Sequence, residues 1–198
     1  MVTEIVESYD KENINNLPIE HFDGSIHVIV NEPEATKAVT YLLTKQLLGF
    51  DTETRPSFQK GKQHKVALIQ VATDNQCFLF RLNHMEGIPA SILRLLEDTT
   101  VTKVGLGVKD DILNLHRRAD FTCGLFIDIQ EEITKIGIKD KSLQKIYANL
   151  FGKKIAKRQQ LSNWEADTLS VAQQQYAAID AWACVKIYQE ICRLIKDK

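Results

Sequence analysis

The chain has 198 residues, 44% of them hydrophobic and 26% charged, with a formal net charge of −1. Those proportions suit one α/β domain with a sizeable core. They give no overall electrostatic pull toward a polyanion, and no run approaches the length needed to span a bilayer. The opening "MVTEIVESYDKENINNLP" has neither a basic n-region nor an apolar stretch. No secretion signal is read there, and a cytoplasmic or other intracellular location is expected, away from membranes. Cys77, Cys123, Cys184 and Cys192 form no CxxC pair, and the five histidines show no HxH or HExxH spacing. This argues for reduced thiols and against a zinc or histidine metal site.

Residues 1–22 read as a loosely structured arm and 23–198 as one domain, since no repeat, low-complexity tract or linker divides them. "IHVIV" (26–30) predicts a strand, and 32–46 a helix with Ala35, Val39, Leu42 and Leu43 on its apolar side. "LLGFDTE" (47–53) is a short apolar strand. "KVALIQVAT" and "QCFLFRL" follow as a hairpin across Asp74 and Asn75. Next come a helix at 88–97 behind Pro89, a strand "TKVGLG", a helix "VKDDILNLHRRA", a strand "LFIDI" and a helix near 129–135. That alternation is what parallel pairing requires. The last helix starts at Ser170, which fits a capping box with Gln173, and carries an apolar stripe through Ala172, Ile179, Ala183, Ile187, Ile191 and Leu194. Three successive strands from Leu47 followed by alternation is the order of a ribonuclease-H-like α/β fold, a mixed five- or six-stranded sheet with helices on both faces.

Asp51 and Glu53 stand two apart at the end of a strand and so share a face. Buried side by side, both would resist ionisation unless a cation intervened. Tyr176 and Asp180 stand four apart on a helix, also on one face, and Asp111 opens the helix after a parallel strand. Taken singly these patterns are commonplace, because most acids are simply exposed. Together they resemble the DEDD 3'-5' exonuclease superfamily, in its tyrosine-bearing branch, the ribonuclease D and Werner-type exonucleases. The resemblance is carried by "GFDTE" with "RPSF", by "VGLGVKDDILNL", and by "SNWE" followed by "YAAIDAWACVKIY", in that order over roughly residues 26–196. The histidine branch would need His five residues before Asp180, and position 175 is Gln.

The resemblance implies a metal-dependent 3'-5' exonuclease that releases nucleoside 5'-monophosphates from nucleic-acid 3' ends by direct in-line hydrolysis. Two divalent ions, Mg²⁺ or Mn²⁺, would be held by the hard oxygen donors of Asp51, Glu53, Asp111 and Asp180. Asp51 would bridge both ions, Glu53 and Asp180 would complete the nucleophile side, and Asp111 would hold the second. Tyr176 would orient the attacking water. Aligning "GLGVKDD" on its glycines selects Asp111, which leaves Asp110 as an acid at a helix N-terminus. Asp128 is expected to cap the next helix, Trp164 to anchor packing, and Arg55 to pair with a nearby acid. Expected substrate contacts are Thr52, the base-stacking candidate Phe58, and the basic run Lys153, Lys154, Lys157 and Arg158; "QKGKQHK" (59–65) is a second basic run. The wording of the motifs favours DNA. A ribonuclease D-like exoribonuclease is the alternative, and a non-catalytic nucleic-acid-binding module is the rival from another class.

Overall fold

The computed structural model describes residues 5–59, 61 and 63–197. Its N-terminal stretch contains one helical turn, α1 (Lys11–Ile14), with Asp10 as its N-cap. Although little of this stretch is regular, it is tied down. Val6 exchanges two hydrogen bonds with the Asn149 side chain, and Ser8 and the Tyr9 N–H both donate to Asp140. Ile14 and Phe22 are buried.

Six strands then form one sheet: β1 (Ser25–Ile29), β2 (Leu47–Thr54), β3 (Val66–Ala72), β4 (Gln76–Arg81), β5 (Thr102–Gly105) and β6 (Phe126–Asp128), side by side in the order β1-β4-β3-β2-β5-β6. The β2–β3 and β3–β4 pairs are antiparallel and the rest parallel. The expected mixed sheet is therefore present, with the larger of the two strand numbers. Every residue of β3 is buried, which is why its sequence reads as a nearly unbroken apolar run. The hairpin turns at Asp74 and Asn75, closed by Thr73 N–H donating to the Gln76 carbonyl at 2.8 Å.

One face is covered by α2 (Glu32–Leu42), α3 (Ala90–Glu97) and α4 (Val108–Leu115), packed around Leu48, Phe50, Ile69, Val71 and Phe80. The other is covered by α5 (Ile129–Glu132), α6 (Leu143–Phe151) and α7 (Val171–Lys196), around Leu68, Ala72, Leu79 and Val104. Helix α2 stops short of residue 46. The Thr44 hydroxyl donates to the Tyr41 carbonyl, competing for an acceptor that another helical turn would use. The Ser170–Gln173 capping box is formed as expected, but Ala172 is exposed. The buried stripe begins at Ala177 and runs through Ala178, Ala181 and Cys184.

Those small residues let α7 lie very close to β2. A Cβ added at Gly49 would stand 1.9 Å from the Ala181 carbonyl oxygen, so only glycine admits this approach. Gly49 precedes Asp51 by two on the same face, and Ala181 follows Asp180, so the contact that needs glycine also brings the two acids together. Among the described residues no helix is long and apolar enough to cross a membrane.

Candidate active site

Strand β2 pairs with β5 only over Leu47–Gly49, whereas its pairing with β3 continues to Thr54. Its last residues thus overhang the C-terminal ends of the parallel strands β5 and β6, the usual place for a site in such sheets. Strand alternation sends Asp51 and Glu53 to the α7 face and Thr52 to the α4 face. The register slips between Glu53 and Thr54, an irregularity of the kind that re-aims side chains beside active sites.

Helix α4 is brought to the same edge by a tight turn. Gly107 adopts a left-handed φ of 75°, and its N–H and that of Val108 both donate to the Asp128 carboxylate at 3.1 Å. Asp128 also caps α5 by accepting from Gln130 N–H. These bonds give it a structural role, the one the resemblance implied. The turn leaves Asp110 exposed and points Asp111 inward, where Asp111 Oδ1 accepts from the Thr52 hydroxyl at 2.5 Å.

From the other face α7 contributes Tyr176 and Asp180, the latter only 8% exposed. Trp164 is fully buried with its ring 6.0 Å from that of Tyr176; it backs the tyrosine and is closed to bases. Carboxylate oxygens of Asp51, Glu53 and Asp180 all lie within 4.8 Å of one another. Asp111 stands outside that trio, though close enough for its charge to act on Asp51 and Glu53. Asp51, Glu53 and Asp180 open into a cavity of about 320 Å³ whose other walls include Leu106, Gln144, Lys157 and Gln160.

Burial and mutual repulsion dominate the electrostatics. Burial, with Asp111, Asp180 and Glu53 adding to it, holds the Asp51 carboxyl well above the usual carboxylate range. Burial and the Asp180 and Asp111 charges push Glu53 up to about 9. Burial raises Asp111 to about 7 against the Thr52 hydrogen bond, and Asp180 to about 7 against the Tyr176 hydroxyl and the Lys157 charge. An all-oxygen donor set, crowded and short of countercharge, fits a hard divalent cation, which would relieve the repulsion.

The basic run at 153–158 does not arrive together. Lys153 pairs with Glu20 at 2.9 Å and Lys154 reaches the Asn15 carbonyl, both on the N-terminal stretch. Only Lys157 lines the acidic cavity, and Arg158 lines a neighbouring one on the far side of Tyr176. Of the basic run at 59–65, Lys60 and Lys62 lie outside the described residues. Phe58 is 87% exposed. Arg55 and His64, at the two ends of the loop after β2, both engage Glu165, at 3.3 and 2.9 Å, which is the acid partner expected for Arg55. Sequence reasoning missed several features. Helix α6 supplies Gln144 to the cavity, although Ser142 caps its start and a left-handed Gly152 ends it, both readable signals. Also missed was a polar cavity of about 330 Å³ beyond Thr54, lined by Arg55, His64, Asn114 and Arg117.

Residues 26–196 match the model of a protein family described as 3'-5' exonuclease. The chain belongs to the 3'-5' exonuclease family. Among its relatives, Exonuclease 3'-5' domain-containing protein 2 of Drosophila melanogaster is 36% identical over 158 residues, which is 78% of this chain and 27% of that protein. The Bifunctional 3'-5' exonuclease/ATP-dependent helicase WRN of Mus musculus is 31% identical over 191 residues, 91% of this chain and 14% of that one. The chain thus spans a minor part of both. The Nibbler EXO domain of Aedes aegypti has the same fold, with a TM-score of 0.78 at 19% identity over 98% of this chain and 93% of that one. So has Trypanosoma brucei RNase D, solved in complex with RNA U12, with a TM-score of 0.75 at 18% identity over 86% and 63%.

Proposed function

We propose that the protein is a metal-dependent 3'-5' exonuclease of the tyrosine-bearing DEDD type, removing nucleoside 5'-monophosphates from the 3' ends of DNA. The observation that carries this is the convergence of Asp51, Glu53 and Asp180 to within 4.8 Å on the sheet edge that also holds Tyr176 and Asp111. Asp51, Glu53 and Asp180 would hold one cation, with Asp51 and Asp111 on a second. Mg²⁺ or Mn²⁺ there would supply Lewis acidity, lowering the pKa of a water and offsetting phosphate charge.

The chain's own residues would do the rest. Burial and the neighbouring carboxylates hold the Tyr176 hydroxyl far above the usual tyrosine range, so it stays protonated. It would orient the attacking water by hydrogen bonding and would not serve as a base. Thr52 keeps Asp111 in place through its hydroxyl. Lys157 on the cavity rim and Arg117 in the polar cavity beyond Thr54 are suited to backbone phosphates, which give affinity without sequence preference. Phe58 offers a stacking surface for a base. The choice of DNA rests on the wording "RPSF", "LSNWE" and "YAAIDAWA".

The test is digestion of 5'-end-labelled DNA and RNA oligonucleotides with Mg²⁺, Mn²⁺ or EDTA. Metal-dependent stepwise shortening from the 3' end, faster on DNA, is expected. Faster shortening of RNA would reverse the substrate assignment, and no shortening of either by folded protein would overturn the function.

A further inference from the structure

Gln70 sits in the middle of β3 and is fully buried. Among the described residues neither its amide nitrogen nor its amide oxygen has a hydrogen-bond partner. Buried polar side chains left so are uncommon, because the fold has stripped them of water without replacing it. In the β2–β3 ladder the residue directly opposite Gln70 is Asp51. Opposite residues project to the same face with Cβ atoms about 5 Å apart.

The nearest residues of β3 and β4 on this face are apolar. Across β4 it faces Leu79, and the flanking residues on its own face of β3 are Leu68 and Ala72. On α7 above, the Cys184 thiol is already engaged with the Asp180 carbonyl. Asp51 is the polar side chain directly opposite it in the ladder.

We propose that Gln70 is a positioning residue for the Asp51 carboxylate, its amide N–H donating to Asp51 when the acid set holds a divalent cation. The proposal rests on the metal-site reading above and adds a residue to it. A neutral amide suits the position. A carboxylate there would add repulsion to an already crowded set, and an ammonium would compete with the cation for the acids. Partners of this kind fix the orientation of a ligand from the protein side, and their loss typically weakens metal binding about 10- to 100-fold.

Gln70→Met keeps the side-chain length and removes both polar atoms, and Gln70→Leu is a second, shorter apolar replacement. Thermal unfolding in EDTA and Mn²⁺ affinity by titration calorimetry would be measured for both variants, the wild type and Asp51→Asn. A residue present only for packing would leave Mn²⁺ affinity unchanged. The proposal predicts an unfolding temperature in EDTA equal to or above that of the wild type, since an unpaired amide has been removed, together with Mn²⁺ binding weaker by about tenfold or more. Wild-type affinity in both Gln70 variants would overturn the role of Gln70 alone, provided Asp51→Asn has lost binding. If the wild type binds no Mn²⁺, or Asp51→Asn binds it equally well, the metal-site reading falls and Gln70 with it.

Discussion

Raising the pH of the metal-free protein should weaken its fold, because the acids of the site are crowded together, Asp180 buried and Asp51, Glu53 and Asp111 half-buried. Burial lifts Asp180 from its ordinary value of 3.8 to about 7. Below the unfolded-chain value the carboxyl is protonated in both states and its burial is harmless. Above it the unfolded chain ionises while the folded one keeps its proton until about pH 7, so stability falls as pH rises through that window. Each retained proton costs about 1.4 kcal/mol per pH unit, so Asp180 alone should remove about 2 kcal/mol between pH 5.5 and 7.0. That is a large share of a typical total of about 5–15 kcal/mol. Asp111, raised to about 7, and Glu53, raised to about 9, act with the same sign. Glu20, Asp98 and Asp140, held below their ordinary values, finish titrating below this window. The assay is urea unfolding in EDTA at pH 5.5 and 7.0, with Asp51→Asn alongside. Stability should drop for the wild type and drop less for the variant, which has one crowded acid fewer. Excess Mn²⁺ should displace the protons and stabilise more at the higher pH. Stability in EDTA that holds or rises between pH 5.5 and 7.0 would refute the reasoning.

Tyr176→Phe should lower kcat about 100-fold while calorimetric Mn²⁺ affinity stays close to wild type; lost metal binding would contradict a water-orienting role. Gly49→Ala should lower the unfolding free energy by about 2 kcal/mol or more, and cut activity further than that loss explains, because α7 must lift and carry Asp180 away from Asp51. Unchanged activity and stability would show that the close approach is not needed. Arg117→Gln should raise KM on oligonucleotides, leave kcat nearly unchanged, and reduce the salt dependence of binding by about one phosphate contact; an unaltered salt slope would remove the polar cavity from the substrate path.

Much of the candidate site's geometry was legible because its signals are local. The two-residue spacing of Asp51 and Glu53 and the four-residue spacing of Tyr176 and Asp180 survive any error in strand boundaries, and the capping box marks where α7 begins. The capping role expected of Asp128 came from the family resemblance, and its bonds to Gly107, Val108 and Gln130 fit it. What stayed hidden depends on contacts between distant segments. Lys153 and Lys154 look like Lys157 in sequence, but the N-terminal stretch claims them through Glu20 and the Asn15 carbonyl. Gln70 faces Asp51 only through a register set across the loop between β2 and β3. Glu165 gathers Arg55 and His64 from about a hundred residues away in the chain, at separations of 110 and 101. Helix α6 is different, since its capping residues were there to be read and went unused.

The central claim is that the converging carboxylates hydrolyse the terminal phosphodiester at a 3' end. The most direct measurement is the identity of the product released by wild type and by Asp51→Asn from an oligonucleotide of known sequence, in ¹⁸O-labelled water with Mn²⁺. The account predicts single nucleoside 5'-monophosphates, released in order from the 3' end and carrying the label in the phosphate, from the wild type and none from Asp51→Asn. Nucleoside 3'-monophosphates, release from the 5' end, or comparable product from Asp51→Asn would contradict it.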